Sequence, residues 1–189
     1  LMHSGKKISE ERLCEIFFEL AEKGAHNINL VTPTQYASQI ANVITVAKQR
    51  GFSLPFVYNC GGYESAQMLK KLDGLVDIYI PDFKYWYAED AQKYSNAPDY
   101  PVVAKTAVAE MVRQQKTLCY NNDGILTNGV IVRHMLLPEH VYAAKQIIKY
   151  LYENYGENII YSVMSQYTPM KNFEKFPELN RRVSKRAYE

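Results

Sequence analysis

The segment Val76-Asp-Ile-Tyr-Ile80 runs directly into Pro81-Asp-Phe-Lys84, so an apolar run ends in a carboxylate and an ammonium group. A short run rich in β-branched and aromatic residues predicts a buried strand. Gly74 ends the helical segment that precedes it. Asp82 and Lys84 are two residues apart, so on a continued strand their side chains would share one face. This segment therefore predicts a strand whose carboxyl end carries polar groups.

The same order of helix, glycine and strand recurs on both sides of this segment. Apolar residues three and four positions apart mark the helices, and a short apolar run follows each. Five strands are expected, at 27–31, 55–58, 76–80, 130–137 and 159–164. Strands that alternate with helices predict an α/β fold with a parallel sheet and right-handed crossovers. Because a closed eight-stranded barrel takes about 250 residues, we expect a partial TIM-like (β/α) barrel, with a doubly wound sheet as the alternative.

The overall composition is that of an ordinary globular chain. Of its 189 residues, 47% are hydrophobic and 22% are charged, and we expect one domain over residues 1–189. The 22 basic and 20 acidic residues nearly balance, which argues against nucleic acid or an anionic membrane as a partner. No apolar run approaches the roughly 20 residues that span a bilayer, and the first residues lack the apolar core of a signal peptide.

The three cysteines, Cys14, Cys60 and Cys119, are odd in number and widely spaced. This pattern argues against a disulfide framework and favours a cytoplasmic protein. Because no CxxC pair exists, local spacing predicts no zinc or iron–sulfur site, and no residue is assigned as a metal ligand. No histidine partner is placed beside Cys60 by the sequence, so we interpret it as a small buried residue.

Polar residues concentrate after the predicted strands, while the helix-to-strand loops are plainer. In βα folds the carboxyl ends of the strands carry the chemistry. We therefore expect one rim of the sheet to bind a ligand. The residues expected to gather at this rim are Asn59, Glu64, Asp82, Lys84, Arg133 and His134.

Each of these residues also has a structural interpretation. Gly61-Gly62 either permits a tight turn, with Glu64 in the first turn of the next helix, or lets a ligand approach the backbone. Asp82 and Lys84 form either an ion pair or part of a ligand site. Arg133 and His134 are adjacent, so they point to opposite faces of an extended strand, and we favour His134 as the functional residue.

The same segments resemble the radical S-adenosylmethionine enzymes, in the branch that contains pyruvate formate-lyase activating enzyme. The resemblance is carried by long ungapped strings between about Ile8 and Pro169. These strings are Gly24-Ala-His-Asn-Ile-Asn-Leu-Val-Thr-Pro-Thr34, Tyr58-Asn-Cys-Gly-Gly-Tyr-Glu64, Val76 to Lys84, Tyr94-Ser95, Asp99-Tyr100, Val132-Arg-His134 and Ser165-Gln-Tyr-Thr-Pro169.

This resemblance implies a partial (β/α)6 barrel and radical chemistry. In the family a 4Fe-4S cluster, held by a CxxxCxxC loop after the first strand, reductively cleaves S-adenosylmethionine to a 5′-deoxyadenosyl radical. The radical abstracts hydrogen from the substrate, which for an activating enzyme is a glycine of a glycyl-radical enzyme. A flavodoxin- or ferredoxin-type protein is the implied electron donor.

The CxxxCxxC loop of the family is absent from this sequence. In the family it lies just before the helix that begins here near Ser9, so we expect the body of such an enzyme without its first strand and cluster loop. We expect this chain to be inactive alone and to hold neither cofactor tightly. Loss of the first strand would expose a sheet edge that can pair with another chain.

The resemblance also implies residues that bind S-adenosylmethionine, although it assigns no catalytic residue. Thr32 stands where the family often has Gly-Gly-Glu, and Asn59 matches the next strand end. Asp82 and Lys84 match an Asp-x-Lys stretch near the ribose and carboxylate of the cofactor, and His134 resembles a histidine near it. A zwitterionic sulfonium ligand needs both donors and carboxylates nearby.

Two other classes of function stay open. Lys84, at the carboxyl end of a strand, could form a Schiff base in a barrel aldolase if burial lowered its pKa. Alternatively, the chain could be a non-catalytic fragment that binds a partner protein.

Overall fold

The computed structural model describes residues 6–169 and 175–188. Within these ranges the chain is an α/β protein with seven α-helices and six strands. The helices are α1 (Glu10–Glu22), α2 (Ala37–Gln49), α3 (Ala66–Leu69), α4 (Ala88–Ser95), α5 (Tyr100–Gln114), α6 (Val141–Tyr155) and α7 (Lys185–Tyr188). The strands are β1 (Ile28–Val31), β2 (Phe56–Cys60), β3 (Ile78–Pro81), β4 (Cys119–Tyr120), β5 (Leu126–Met135) and β6 (Ile160–Met164).

The strands form one mostly parallel sheet. β1, β2, β3, β5 and β6 lie side by side and pair in parallel, as the alternation of helices and strands predicts. β4 pairs with the start of β5 in antiparallel orientation and was not expected. Among the described residues β1 and β6 each pair with one neighbour and not with one another, so the sheet is open.

All strand residues in the two apolar cores come from one face of the sheet. Ile28 and Phe56 pack against Phe17 of α1 and Ile44 of α2, which bury the β1 end of the sheet. The larger core joins β2, β3, β5 and β6 to the helices from α3 to α6. Its strand residues are Tyr58, Cys60, Tyr79, Val130 and Val132. This alternation places every second strand residue under a helix.

The other strand face, which we call the open face, contributes to neither core. Register places its residues in rows, for example Val31 beside Asn59 and Asn59 beside Ile80. Val31 is 67% exposed although it belongs to a strand. By register, the strand residues of the open face, with Asp82 just beyond β3, are Asn29, Val31, Val57, Asn59, Ile78, Ile80, Asp82, Gly129, Ile131, Arg133, Met135, Ile160, Ser162 and Met164.

Helix α1 begins where the sequence indicates. The Ser9 hydroxyl accepts a hydrogen bond from the Arg12 N–H at 3.1 Å, and Glu10 and Glu11 lie in the first turn beside the positive end of the helix. Helix α3 differs from the expectation, because Ser65 is its N-cap and Glu64 precedes the helix. Helix α4 lies in what the sequence indicates as an insertion.

Candidate functional site

Arg133 organises a polar group on the open face at the carboxyl ends of the strands. Its Nε donates to Asp82 Oδ1 at 2.9 Å, and its Nη2 donates to Asn59 Oδ1 at 2.8 Å. The Arg133 Nη2 atom also lies 2.8 Å from Asp82 Oδ1. A guanidinium group presents several donors in one plane, which lets it bridge an amide and a carboxylate on separate strands.

Lys84 adds a second cation to this group. Its Nζ lies 3.9 Å from Asp82 Oδ2, and its side chain is 48% exposed. The predicted proximity of Asp82 and Lys84 is confirmed, but the shorter ion pair of Asp82 is with Arg133. Asn59, Asp82, Lys84 and Arg133 form what we call the rim cluster. With two cations and one carboxylate, the rim cluster can accept an anionic group from a ligand.

Strand pairing brings the members of the rim cluster together. Asp82 and Arg133 are bridged partners just beyond β3, and the Phe83 N–H donates to the Arg133 carbonyl oxygen at 2.7 Å. The Asp82 N–H donates to the Cys60 carbonyl oxygen at 3.0 Å, which continues the pairing of β2 with β3. Since strand register fixes these positions, the cluster is built on rigid elements.

The Gly61-Gly62 turn packs against the protein itself. The Tyr100 hydroxyl lies 2.8 Å from the carbonyl oxygens of both Gly61 and Asp82 and accepts a hydrogen bond from the Lys84 N–H at 3.0 Å. A Cβ on Gly62 would lie 1.9 Å from the Asp82 carbonyl oxygen. This close approach supports the tight-turn interpretation of the two glycines.

His134 lies on the helix-covered face and is therefore not part of the rim cluster. It alternates with Val130 and Val132, and it is 5% exposed. Its Nδ1 lies 2.7 Å from the Phe83 carbonyl oxygen, so Nδ1 carries the proton and Nε2 has no partner among the described residues. Burial lowers the pKa of His134, so the neutral ring is favoured. Arg133, which the sequence analysis ranked below it, occupies the site instead.

Glu64 also lies outside the rim cluster. It is 4% exposed, its Oε1 accepts from the Thr34 hydroxyl at 2.9 Å, and its Oε2 has no partner among the described residues. Burial, and then the nearby Glu64 carboxylate, raise the pKa of the Cys60 thiol well above its usual value. This environment keeps the thiol protonated and supports the interpretation of Cys60 as a packing residue.

Thr32 lies just beyond β1 in a strained backbone conformation. Its φ is +52°, a left-handed value that a β-branched residue rarely adopts. Its N–H donates to the Asn59 carbonyl oxygen at 2.8 Å, and its side chain is exposed. Thr32 is therefore held by its backbone beside the strand end that supplies Asn59, and its side chain has no hydrogen bond to the rim cluster among the described residues.

Sequence reasoning did not identify the full roles of Arg133 and Tyr100. Arg133 was recognised as a candidate, but alternation alone does not reveal which face helices cover. Tyr100 appeared only within the Asp99-Tyr100 string, although it links the turn after β2 to the loop after β3. A tyrosine at the start of a predicted helix gives no signal for such long-range hydrogen bonds.

The cysteines do not form a cluster-binding set. Cys14 is buried in α1, Cys60 is buried at the end of β2, and Cys119 is exposed in the short β4. In residues 6–169 and 175–188, no three cysteine, histidine or carboxylate side chains come together as metal ligands. Over the same ranges no helix has the length and apolar character needed to cross a membrane.

No family model matches the chain. It is similar to an uncharacterized protein of Methanocaldococcus jannaschii, with 25% identity over 161 residues. The match covers 84% of this chain and 42% of that relative. The chain thus spans about two fifths of the length of the relative that it matches.

Proposed function

We propose that this chain is the body of a radical S-adenosylmethionine enzyme of the activating-enzyme type, and that its open sheet is part of a (β/α) barrel. The observation that carries the proposal is the rim cluster on the open face. All four members of the rim cluster lie within the strings that resemble the family. Arg133 belongs to the string Val132-Arg-His134. In a partial barrel the open face would line the interior.

The rim cluster has the groups that S-adenosylmethionine requires. The Lys84 ammonium, half exposed, would bind the carboxylate of the cofactor, and Asp82 would face its cationic groups. Arg133 holds Asp82 and Asn59 in place through the hydrogen bonds at 2.9 and 2.8 Å. Ile80, which is partly buried beside Asn59 on the open face, would offer the ligand an apolar contact there.

The described cysteines do not fit a 4Fe-4S cluster, because they lie in three separate elements and two are buried. Cluster ligands would have to come from protein outside these 189 residues. Bound together, the two cofactors supply a 5′-deoxyadenosyl radical. The residues of this chain would bind and orient S-adenosylmethionine. A glycyl-radical enzyme as partner, a flavodoxin- or ferredoxin-type electron donor and a cytoplasmic location belong to the same proposal.

Calorimetric titration of this chain with S-adenosylmethionine tests the proposal. We expect binding that weakens at least tenfold in Asp82→Asn and Lys84→Met, because hydrogen bonds to charged groups contribute roughly 1.5–3 kcal/mol. Lys149→Met is the matched control, since Lys149 is 66% exposed on α6 and pairs with Glu153. Thermal unfolding of each variant separates lost binding from lost folding.

Equal affinity of the wild type and both rim variants would contradict the proposal. S-adenosylhomocysteine, which lacks the sulfonium charge but keeps the ammonium group, should bind less tightly because Asp82 then faces one cation fewer. The aldolase alternative gains no support from the environment of Lys84, which is about half exposed and 3.9 Å from a carboxylate. A Schiff-base lysine is typically held in a desolvated pocket, and the exposed Lys84 side chain is not.

A further inference from the structure

An apolar cavity of about 210 Å³ lies between α6, the end of β6 and α7, away from the rim cluster. Val141, Ala144 and Ile148 line it from one stripe of α6, at the three- and four-residue spacing of one helix face. Leu136 and Val163 line it from the strand ends. The cavity is larger than the engineered cavity of about 150 Å³ that binds benzene in another protein.

The cavity exists because β6 is an end strand. The four-residue α7 is the described element that covers this side, and its Tyr188 hydroxyl donates to the Val163 carbonyl oxygen at 2.9 Å. Because α7 is so short, it covers only one side of this region, and the cavity remains between α7 and α6. The walls are thus formed by the end of β6, the long helix α6 and the short helix α7, which the Tyr188 hydrogen bond ties to β6.

Two cationic side chains line this cavity. Lys145 and Arg186 belong to its lining, in which the described residues include no carboxylate. Neither side chain forms an ion pair with a carboxylate of residues 6–169 or 175–188. Apolar walls with a cationic lining complement a ligand that has an apolar body and one negative charge.

We propose that this cavity binds a small free carboxylate with a short alkyl or aryl body. The apolar body would contact Ala144, Ile148 and Val163, and the carboxylate would bind Lys145 and Arg186. The inference is independent of the proposed function, because none of these residues belongs to the rim cluster. It concerns a second site on the outer, helix-covered side of the sheet.

Methyl NMR of the full chain, titrated with hexanoate, tests this site. We expect saturable shifts of the Leu136, Ile148 and Val163 methyl groups, with no shift of Val31 on the open face. Hexanol should bind more weakly by roughly tenfold or more, because it loses both ion pairs, each of which contributes about three- to fivefold. Equal affinity for hexanol and hexanoate would overturn the assignment of an anionic ligand.

Three variants and one control variant locate the site. Lys145→Met and Arg186→Met should each weaken hexanoate binding about three- to fivefold, whereas Lys149→Met, one turn further along α6, should leave it unchanged. Ala144→Leu should fill the cavity and abolish binding. If Ala144→Leu does not fold, the shift map of the wild type decides the location. Shifts confined to other surfaces, or no shifts at 10 mM hexanoate (on the order of the weakest useful affinities), would overturn the proposal.

Discussion

Gly62 lies in the turn between β2 and α3 with φ at +78°, and a Cβ there would meet the Asp82 carbonyl oxygen at 1.9 Å and the Tyr100 hydroxyl at 2.9 Å. Gly62→Ala should therefore lower the free energy of unfolding by about 3–5 kcal/mol, because backbone atoms must move as well as the new methyl group. Urea denaturation measures this loss. Gly61→Ala is the matched control, since its nearest contact would be Lys84 Nζ at 3.8 Å. Equal losses in both variants would contradict this account of the turn.

His134 should make stability depend on pH. Burial holds the pKa of the folded ring below the ordinary value of 6.5, so the unfolded chain binds more protons than the folded chain below that pH. The free energy of unfolding should thus fall as pH drops from 6.5 toward the folded pKa, by up to about 1.4 kcal/mol per pH unit. His134→Gln keeps a donor for Phe83 and should remove this slope in urea titrations at several pH values.

His26, which lies exposed in the loop before β1, provides the control. His26→Gln should keep the wild-type dependence on pH, because the His134 ring, to which the slope is attributed, is still present in this variant. A wild-type slope that survives in His134→Gln would show that another group titrates.

The position of a site residue could be predicted from the sequence where the residue lies at the end of a strand. Asn59, Asp82 and Lys84 come together because each lies at a strand end, which the sequence marks. The choice between Arg133 and His134 was not predictable, since it depends on which face the helices cover. That information resides in packing between distant segments, which a period of two along one strand does not contain.

At the scale of elements, a buried carboxylate on α5 holds the two side chains, Arg113 and Gln114, that link this helix to Asp73 and to the Leu69 carbonyl oxygen. Glu110, 7% exposed, accepts from Arg113 Nε at 2.9 Å and from Gln114 Nε2 at 2.8 Å. Arg113 also forms an ion pair with Asp73 at 2.5 Å. The Arg113 guanidinium lowers the pKa of Glu110 from 4.5 to about 2.

Glu110→Gln should therefore cost roughly 1–3 kcal/mol of unfolding free energy at pH 7. Because the folded pKa is depressed, the contribution is complete above about 4.5 and disappears as pH falls through about 2. Urea denaturation should show a smaller loss of unfolding free energy in Glu110→Gln at pH 3 than at pH 7. Glu153 is exposed and pairs with Lys149, so Glu153→Gln is the control. It should change the free energy of unfolding by less than about 0.5 kcal/mol at either pH.

Elements with strong apolar periodicity were predictable, and weakly patterned ones were not. The five parallel strands and α1 match their patterns to within a few residues. Helix α4 buries only Ala91, so its sequence carries no apolar stripe. Strand β4 has two exposed residues and depends on pairing with β5, so its own sequence gives no sign of it.

At the scale of the molecule, the helices with core residues lie on one side of the sheet, and β1 and β6 are its two ends. The parallel order follows from helix–strand alternation. Whether such a sheet closes depends on strands that meet over long sequence separations, which local pattern does not determine.

The most direct test of the proposed radical enzyme is the formation of 5′-deoxyadenosine. The protein should be expressed from the whole open reading frame that contains this chain, then supplied anaerobically with iron, sulfide, S-adenosylmethionine and dithionite. We predict a 4Fe-4S spectrum and 5′-deoxyadenosine formation that falls at least tenfold in Asp82→Asn, in line with the loss of a charged hydrogen-bonding partner of roughly 1.5–3 kcal/mol. A reading frame without a CxxxCxxC loop, or a cluster-loaded protein that forms no 5′-deoxyadenosine, would contradict the proposal.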